Sequence, residues 1–562
     1  MIELLEKLVN ENLKKIGYDE CVHVIVSNRP ELCDYQCDGI FILAKKYHKS
    51  PIEIGEALEK EMNLMEDFST YFKKIEFVKP GFLNITLSDE LICKFLMNMM
   101  EKPKFGIKEE KEETYFLDYG GYNVAKPLHI GHLRPTIIGE AIKRIIAYKG
   151  HKTISDVHLG DYGLQMGEVI YGIERDGLKK EDITIEYLNH IYPEISALCK
   201  EDGEVKEKCA FITKKLQEKD VYYNELLDTI ISVSVEDAKN ICDYLDVSFD
   251  LWQGERDSYA YLNEVEEILN EKHLLEESEG ALVINVKRED ENKPMPPMMF
   301  KKSNGAYLYD STDLATIYER RQKYHPDHII YVTDFRQNLH FEQVFRASDK
   351  AGFIPYHSLE HAYNGTINGK DGKPFKTREG SAPKLSELFS IVRDTFINQK
   401  EENKNMDKED VDKIVNAIIK FADLQNSRDK DYIFDVEKFS SVVGKTGPYI
   451  LYTYLRIHKI IEKEETLDLN QIIYNEVDRN LRMEMLKLEV AIEKAFKERK
   501  PHYIADYIYN LCVCANSFYQ KNHIITEQDK EKRASFVYIL TLTNKILKEM
   551  LSLIIIDIPK IM

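Results

Sequence analysis

Residues 114–167 contain the feature that most constrains the fold of this 562-residue chain. Residues 115–119 form a short apolar run that predicts a buried strand, glycines and a proline then indicate a turn, and from Leu133 apolar residues recur at helical spacing. Residues 152–158 contain a second β-branched stretch and predict another strand. These patterns together predict a right-handed βαβ unit, and therefore an α/β domain built on a parallel sheet.

The loop between the first strand and the helix carries His129, Gly131 and His132. A helix that begins here directs free backbone N–H groups at the carboxyl edge of the sheet, where open α/β folds bind nucleotide phosphates. Both histidines can donate hydrogen bonds to phosphate oxygens, and Gly131 lets a flat base lie against the backbone. The alternative is that one histidine caps the helix and the other is an ordinary surface residue. The surrounding strand, glycines and helix favour phosphate chemistry.

The sequence around this loop is more specific than its tetrapeptide HIGH alone. It reads NVAKPLHIGHLRPTIIGEAI over residues 123–142, and GDYGLQ follows at residues 160–165. HIGH resembles the first motif of class I aminoacyl-tRNA synthetases, and the longer run resembles the arginyl-tRNA synthetases in particular. The resemblance implies a Rossmann-like α/β catalytic domain, an α+β N-terminal domain and an all-α C-terminal anticodon-binding domain.

The same resemblance implies a reaction and its partners. The expected enzyme is an arginine–tRNA ligase that converts L-arginine and ATP, with Mg²⁺ bridging the phosphates, into arginyl-adenylate and pyrophosphate. It then transfers arginine to the 3′ end of tRNA(Arg), and it requires tRNA even for adenylation. His129 and His132 would stabilise the pentacoordinate phosphorus, and Lys126 would replace a lysine missing from the second motif of the class. The family likeness also implies a monomer.

Composition is compatible with this interpretation. Hydrophobic residues make up 43% of the chain and charged residues 31%, and a chain of this length is expected to form about three or four domains. No apolar run reaches membrane-spanning length and residues 1–15 suggest an amphipathic helix, so we expect a cytoplasmic protein without a membrane partner. The formal charge of −20 argues only slightly against RNA, because a folded RNA contacts local basic patches.

The nine cysteines are scattered, with no CxxC pair and no second Cys or His pair at zinc spacing. We therefore expect reduced, buried thiols and no zinc site or structural metal.

Residues 1–105 predict a small α+β domain that ends before a charged linker. Phe82 and Asn84 lie two apart in an alternating strand pattern, so they share one strand face, where an aromatic ring and an amide suit an unpaired base. An ordinary strand with Phe82 in the core is the simpler interpretation of the pattern itself. The resemblance favours contact with the D-loop of tRNA, because the family has an aromatic and an amide residue at matching positions.

The catalytic domain is expected over residues 114–385, with a mostly helical insertion at about 168–295 to which no chemistry is assigned. Its second half predicts a strand end at residues 307–309, a helix cap at Ser311 or Thr312 with the helix from Leu314, and a buried strand at residues 328–333. In a doubly wound sheet these strand ends face the same cleft as His129.

Five residues near that cleft match the family's arginine-binding positions: Asp118, Asn123, Tyr309, Asp313 and Gln337. A guanidinium is a planar fork of donors, and carboxylates beside a hydroxyl suit it well. The amides would hold the α-amino and carboxylate groups of the substrate. Asp313 at a helix start and Tyr309 in the core are the alternatives. Some family members have Glu in place of Asp118, so its contact with the guanidinium is either direct, through water or absent.

Residues 364–389 form a glycine- and lysine-rich loop. Lys373, Lys376 and Arg378 are positioned in sequence to close over a triphosphate and stabilise departing pyrophosphate. A solvated charged loop is the alternative, and it would be preferred without the HIGH segment. KPFKTR here is similar to the degenerate second motif of arginyl enzymes.

Residues 386–562 are helical in pattern and form the expected stem-contact and anticodon-binding domain. Tyr449 and Tyr452 lie three apart on one helix face, which is more often core than binding surface. The resemblance implies that these tyrosines, Tyr519 and the last residue, Met562, contact the anticodon stem-loop.

Three other functions are alternatives to an arginine–tRNA ligase. A synthetase for another amino acid is disfavoured by the acidic residues at the expected side-chain pocket. A nucleotidylyltransferase of the HxGH type needs no aromatic helical C-terminal domain. A catalytically inactive RNA-binding paralogue is disfavoured by the intact HIGH motif, Lys126 and the five arginine positions.

Overall fold

A computed structural model describes residues 1–289, 291, 295–375, 383–463, 472 and 478–562. The strands in these residues are β1 (Ile25–Val26), β2 (Tyr35–Cys37), β3 (Phe72–Val78), β4 (Phe82–Leu87), β5 (Thr114–Tyr119), β6 (Lys152–Asp156), β7 (Leu275–Ser278), β8 (Ala281–Ile284), β9 (Met298–Lys301), β10 (His328–Val332), β11 (Leu359–His361), β12 (Ile367–Asn368) and β13 (Tyr432–Ile433).

The helices of the same residues are α1 (Ile2–Lys15), α2 (Ile40–Tyr47), α3 (Pro51–Asn63), α4 (Phe68–Tyr71), α5 (Asp89–Glu101), α6 (Ile130–Tyr148), α7 (Leu164–Asp176), α8 (Ile185–Glu201), α9 (Gly203–Gln217), α10 (Val221–Tyr244), α11 (Glu255–Ser258), α12 (Leu262–Glu271), α13 (Tyr309–Tyr324), α14 (Asn338–Ala351), α15 (Leu385–Ile397), α16 (Lys408–Leu424), α17 (Val436–Phe439), α18 (Gly447–Ile461), α19 (Arg479–Met485), α20 (Leu488–Glu498), α21 (His502–Lys521) and α22 (Lys530–Leu553).

The N-terminal unit is a four-stranded antiparallel sheet in the order β1-β2-β4-β3, packed against helices. Strand β4 places Leu83, Ile85 and Leu87 in the core, as its alternating pattern predicts. Ser50 caps α3 and Ser88 caps α5, each by accepting a backbone N–H with its side chain.

The central sheet is parallel, four-stranded and in the order β11-β10-β5-β6. The inner strands β5 and β10 are largely buried because helices cover both faces of such a sheet, whereas the edge strands β6 and β11 are only partly buried. Strand β5 pairs with both β6 and β10, so the loops after all three strands meet at one edge. This edge is where the sequence predicted the phosphate-binding loop.

Helix α6 crosses from β5 to β6 and lies very close to the sheet. An ideal Cβ at Gly139 would lie 2.2 Å from Cγ of Tyr119, so only glycine allows the helix to pack on that ring. The Tyr119 hydroxyl donates to Glu140 at 2.8 Å, and this hydrogen bond fixes the helix against the strand. The predicted βαβ unit is therefore confirmed, with the helix beginning at Ile130 rather than near Leu133.

The insertion between the two halves of the sheet contains helices α7 to α12, and it is followed by a three-stranded sheet of β7, β8 and β9. The predicted cap at Ser311 or Thr312 is wrong as an N-cap, because α13 begins at Tyr309. Ser311 lies in the first turn of the helix, and its hydroxyl accepts the Leu308 amide at 3.1 Å. Tyr309 and Asp313 consequently lie on one helix, at positions i and i+4.

From α15 onwards the described chain is helical apart from β13. Helix α6 is joined to α16 by a buried ion pair, in which Arg134 Nε lies 3.0 Å from Asp423 Oδ2. The Arg134 guanidinium also donates to the Lys430 carbonyl at 2.7 Å. The helix that begins at the HIGH loop is therefore fixed directly to the helical C-terminal part.

Among the helices of the described ranges, we find none with the length and apolar character that a membrane span requires.

Candidate active site

The HIGH loop (residues 129–132) is held by hydrogen bonds that its own histidines accept. His129 is the N-cap of α6, and its Nδ1 accepts the Gly131 amide at 3.0 Å. Nδ1 of His132 accepts the His129 amide at 3.1 Å. Because Nδ1 is an acceptor in both rings, the proton of each neutral imidazole lies on Nε2. Both histidines therefore cap the helix, and each also offers an N–H donor from the far side of its ring.

The two imidazoles are neutral at pH 7. Their ring centroids lie 4.1 Å apart. Burial lowers the pKa of both, and the nearby Lys126 ammonium lowers it further; for His132 the pKa falls to about 3. The cation of the loop is therefore Lys126, whose Nζ lies 4.5 Å from the ring centroid of Tyr192 on α8.

Gly131 has a local role besides the one expected from sequence. An ideal Cβ at this position would lie 2.8 Å from Cε1 of His129. A side chain here would displace the His129 ring, so the glycine is required for the ring to fold back onto the helix terminus.

The HIGH loop is hydrogen-bonded to the C-terminal part of the glycine- and lysine-rich loop of residues 364–389 (the lysine loop). The Ile130 amide donates to the Pro383 carbonyl at 3.0 Å, and the Leu385 amide donates to the Leu128 carbonyl at 2.9 Å. Lys373, at the start of the lysine loop, is exposed. Lys376 and Arg378, which the sequence also assigned to phosphate binding, lie outside the described residues.

Asp313 is the best-oriented carboxylate of the predicted arginine pocket. It is hydrogen-bonded to Nε2 of His340 on α14, and Nδ1 of the same ring is hydrogen-bonded to Asp310. Burial lowers the pKa of His340, but the two carboxylates outweigh burial and raise it to about 10. Burial raises the pKa of Asp313, yet the His340 imidazolium leaves it lower than usual. Asp313 is therefore an ionised carboxylate fixed by a cation.

Asp118 is already paired with a guanidinium of the protein itself. Nη2 of Arg320 donates to Asp118 Oδ2 at 2.6 Å and to Asp156 Oδ2 at 3.0 Å, and all three side chains are buried. Burial raises the pKa of Asp118, and Arg320 opposes that rise. A substrate guanidinium would share this carboxylate with Arg320.

Tyr309 lies at the mouth of the same pocket, with 61% of its surface exposed. Burial of its hydroxyl raises its pKa, and Glu255, Tyr192 and Asp313 are close enough to add to that rise. Glu255 is the first residue of α11, and burial raises its pKa to about 8. The hydroxyl is thus near the carboxyl group of Glu255 on α11 and that of Asp313 on its own helix.

The two predicted amides lie in loops at the same sheet edge. Asn123 follows β5 and bridges to Gly160, which follows β6. An ideal Cβ at Gly160 would lie 2.7 Å from the Asn123 side-chain oxygen, so the glycine leaves room for that amide. Gln337 is exposed and precedes α14. No hydrogen bond in the described residues joins either amide to Asp313 or Tyr309.

Sequence reasoning missed four groups of this pocket: His158, Glu255, Arg320 and His340. The sequence predicts His158 as the last residue of a strand, but β6 ends at Asp156 and His158 already lies in the loop. His340 lies three residues after Gln337, and that spacing was a usable signal. Arg320 follows Asp313 by seven residues on α13, and that spacing was also a usable signal. Nothing local identifies Glu255, because it reaches the pocket from α11.

Strand β4 carries the two residues for which base binding is predicted, Phe82 and Asn84. Phe82 is half-buried and packs edge-to-face on exposed Phe41, with ring centroids 5.6 Å apart. Asn84 is buried, and its side-chain oxygen accepts from Gln36 on β2 at 2.8 Å. The aromatic and amide groups therefore share a face, with the amide oriented by its neighbour.

Three of the four C-terminal residues line one pocket of about 230 Å³: Tyr452, Tyr519 and Met562. Arg456 joins them, with its guanidinium carbon 4.6 Å from the Tyr452 centroid and 5.5 Å from that of Tyr519. Among the residues that the structure describes, the lining also includes Lys459 and Lys463 and no acidic side chain. Tyr449 is directed elsewhere, and its hydroxyl accepts from Asn516 at 3.0 Å.

Comparison with known families identifies three regions of the chain. Residues 95–436 match tRNA synthetases class I (R), catalytic domain. Residues 3–87 match Arginyl tRNA synthetase N terminal domain, and residues 450–562 match DALR anticodon binding domain. The arginine–tRNA ligase of Alkaliphilus oremlandii is 40% identical over 100% of this chain and 99% of its own length. The chain belongs to the arginyl-tRNA synthetase family.

Other relatives support that membership over the whole length. The arginine–tRNA ligase of Agathobacter rectalis is 40% identical over 98% of this chain and 97% of its own length. Arginyl-tRNA synthetase structures from Plasmodium falciparum and Thermus thermophilus share the fold, with TM-scores of 0.83 and 0.82 at 24% and 22% identity. They cover 100% of this chain and at least 99% of their own. The predicted fold class is therefore confirmed.

The family regions contain the parts of the predicted site. The catalytic region contains the HIGH loop, the acidic pocket and Lys373, the N-terminal region contains Phe82 and Asn84, and the anticodon-binding region contains Tyr452 and Met562. Within the described ranges, no cluster of three or more His, Cys, Asp or Glu side chains is arranged to hold a metal ion.

Proposed function

We propose that this chain is an arginine–tRNA ligase that joins L-arginine to the 3′ end of tRNA(Arg) at the expense of ATP. The observation that carries the proposal is the acidic pocket around Asp313, beside a HIGH loop at the carboxyl edge of a parallel sheet. Carboxylates suit a guanidinium and the start of a helix at this sheet edge suits phosphates, so the two features together support the proposed substrates. Curated relatives named arginine–tRNA ligase over the full length support the same function.

In the first step, an oxygen of the arginine carboxylate attacks the α-phosphorus of ATP. The bond between that phosphorus and the bridging oxygen breaks, and pyrophosphate leaves with the electron pair. Nε2–H of His129 and of His132 donate to oxygens of the pentacoordinate phosphorus as their charge grows. Because both imidazoles are neutral, they supply oriented dipoles, while Lys126 supplies the positive charge.

The lysine loop would act on the leaving group. Lys373 is the described member of the set proposed for phosphate binding, and Lys376 and Arg378 complete that set. The backbone link of this loop to the HIGH loop at residues 383–385 supports its proposed closure over the triphosphate. Mg²⁺ would supply further positive charge at the phosphates of ATP, beside the charges of Lys126 and Lys373.

Arginine is proposed to bind with its guanidinium at Asp313, Asp118 and the Tyr309 hydroxyl. Asn123 and Gln337 would hold its α-amino and carboxylate groups, near the sheet edge. The second step is attack of a ribose hydroxyl of the tRNA terminus on the adenylate carbonyl carbon, which releases AMP. We include a monomeric state and a cytoplasmic location in this proposal.

The test of the function is pyrophosphate–ATP exchange with each amino acid in turn, with and without total tRNA. We expect exchange with arginine alone, and only when tRNA is present. Exchange with a different amino acid would overturn the substrate. Exchange with arginine in the absence of tRNA would overturn the tRNA requirement while leaving the ligase function intact. No exchange from folded protein that binds tRNA would favour an inactive paralogue.

The RNA contacts are proposed at two places. Phe82 and Asn84 would bind an unpaired base of the D-loop, and Tyr449, Tyr452, Tyr519 and Met562 would contact the anticodon stem-loop. The cationic lining beside Tyr452 supports the second contact, because Arg456, Lys459 and Lys463 suit phosphates in an otherwise acidic chain.

Replacing Tyr452 by Ala is expected to raise the KM for tRNA by about 5- to 150-fold, since stacking of a base on an aromatic ring contributes about 1–3 kcal/mol. Aminoacylation kinetics at varied tRNA concentration measure this. Tyr452→Phe is the matched control and should retain most of the affinity, because it keeps the ring. An unchanged KM in Tyr452→Ala would remove this residue from the tRNA site.

A further inference from the structure

His158 lies in the pocket assigned to arginine and has no role in the mechanism above. It follows β6 in the loop at the carboxyl edge of the sheet, with a left-handed φ of +46° that a non-glycine residue seldom adopts. Its Nε2 lies 3.8 Å from Asp313 Oδ1, beyond hydrogen-bond range. Both ring nitrogens are buried, and neither has a hydrogen-bond partner within the part of the chain that the structure describes.

Buried polar atoms without partners are uncommon and call for a physical reason. Here the residue has a left-handed backbone conformation, and its ring lies in the middle of a charged pocket. Asp313 is not its partner, because Oδ2 of that carboxylate is hydrogen-bonded to His340 and Oδ1 lies 3.8 Å from Nε2 of His158, too far for a hydrogen bond. The arrangement is suited to a group whose partner is absent, namely a ligand that enters between the ring and the surrounding carboxylates.

The carboxyl groups that face His158 are Asp118 on β5, Asp156 on β6, Asp161 in the following loop, Glu255 on α11 and Asp313 on α13, with Arg320 on α13 as the opposing cation. Burial raises the pKa of Glu255 to about 8, so Glu255 is mostly protonated at pH 7 and the negative charge near His158 comes from the aspartates. Farther from His158, the Asp313 carboxylate is hydrogen-bonded to the His340 ring, which is also hydrogen-bonded to Asp310. Burial lowers the pKa of His158, but the carboxylates outweigh burial and Arg320 together, so the pKa is raised.

We propose that His158 is a positioning residue that carries a proton in the empty arginine pocket and releases it to solvent when the substrate guanidinium binds. This inference rests on the proposed function of the pocket. A guanidinium does not lose its proton at neutral pH, whereas an imidazolium does. Two cations in one buried pocket repel each other strongly, so the weaker acid keeps its proton and the imidazolium loses its own. The neutral ring then has a lone pair that accepts from the guanidinium.

The same exchange contributes to specificity. An amino acid with a neutral side chain of similar shape would bring no positive charge to compensate for a proton lost from His158. The pocket would therefore keep the His158 imidazolium, and its ring N–H groups would still have no partner. The free enzyme binds one more proton than the complex, so low pH favours the free enzyme. Arginine affinity therefore rises with pH and becomes constant once His158 is neutral in the free enzyme.

The experiment is calorimetric titration of L-arginine into the full chain, in buffers of different ionisation enthalpy, from about pH 6 to about pH 8.5. The dependence of the observed heat on buffer gives the number of protons released. We expect up to about one proton per arginine at the acidic end, and a Kd that falls by up to about tenfold per pH unit there. His158→Gln should bind arginine without that proton release and with a nearly flat pH dependence.

His190→Gln is the matched control, because His190 is a histidine of α8 whose side chain is 80% exposed. It should release protons as the unmodified chain does. Glu255→Gln should also retain the release, and loss of the release in that variant would assign the proton to Glu255 and overturn the proposal. Arginine binding without proton release in the unmodified chain would overturn it irrespective of how the variants fold. Absence of arginine binding would instead overturn the proposed function.

Discussion

Replacing Asp313 by Asn is expected to raise the KM for arginine and to lower kcat/KM for arginine by about 30- to 5,000-fold. The change is isosteric, so it leaves no cavity, but it removes the carboxylate charge that would face the guanidinium. Truncating one partner of a buried, hydrogen-bonded charge pair costs about 2–5 kcal/mol, which gives this range. His340 makes the effect severe, because its imidazolium would then face the substrate cation with one carboxylate fewer.

Steady-state pyrophosphate exchange at varied arginine and varied ATP measures this effect. The KM for ATP should stay within a few-fold, because Asp313 lies in the acidic pocket and not in the HIGH loop. Asp310→Asn is the matched control: it removes the other carboxylate of His340 but no group proposed to touch arginine, so its effect should be clearly smaller. Equal losses in the two variants, or a KM for ATP that rises in parallel, would contradict the assigned role of Asp313.

Replacing His132 by Asn is expected to lower kcat for pyrophosphate exchange by about 10²- to 10³-fold, the usual cost of one preorganised donor to a developing oxyanion. Asn is chosen because its side-chain oxygen can still accept the His129 amide, as Nδ1 of His132 does now. Its short side chain cannot reach the position of Nε2–H. The variant thus keeps the helix cap and loses the donor.

Thermal unfolding distinguishes this loss from a structural one. A lost cap would lower the free energy of unfolding by about 1 kcal/mol, whereas a retained cap would leave it almost unchanged. Since the donor acts on the transferred phosphorus, the KM for arginine should change little. A variant that exchanges pyrophosphate at the normal rate would remove His132 from the mechanism, and a large drop in stability would show that its main contribution is to α6.

The helix termini illustrate how far local pattern is informative. The strand predicted at residues 115–119 is found at Thr114–Tyr119, and the helix predicted from Leu133 begins at Ile130. The difference arises because His129 and His132 cap the helix and extend it by the loop residues between them. Helix capping and phosphate binding are the two alternative roles that the sequence offers for these histidines. The observed hydrogen bonds make the two roles compatible, because capping uses Nδ1 of each ring and leaves Nε2–H for a phosphate.

The helix after residue 308 is a case where the pattern misled. Ser311 and Thr312 are favoured cap residues, so the sequence indicated a helix start near them. The structure places the serine inside the first turn, where its hydroxyl accepts the Leu308 amide. Propensity identifies the residue that satisfies an amide, but it does not tell whether that residue lies at the cap or three residues after it.

Signals along the chain are sufficient to predict the family, the parallel βαβ unit and the position of the HIGH loop, because each depends on neighbouring residues or on a dense run of matching residues. Long-range packing was needed to pair Arg320 with Asp118, since these residues lie 202 positions apart, and to bring the His340 cation to Asp313. It also decided that His158 faces the pocket without a partner. The physical reason is that charge, burial and pKa depend on which distant groups share one low-dielectric volume, and periodicity along the chain carries no record of them.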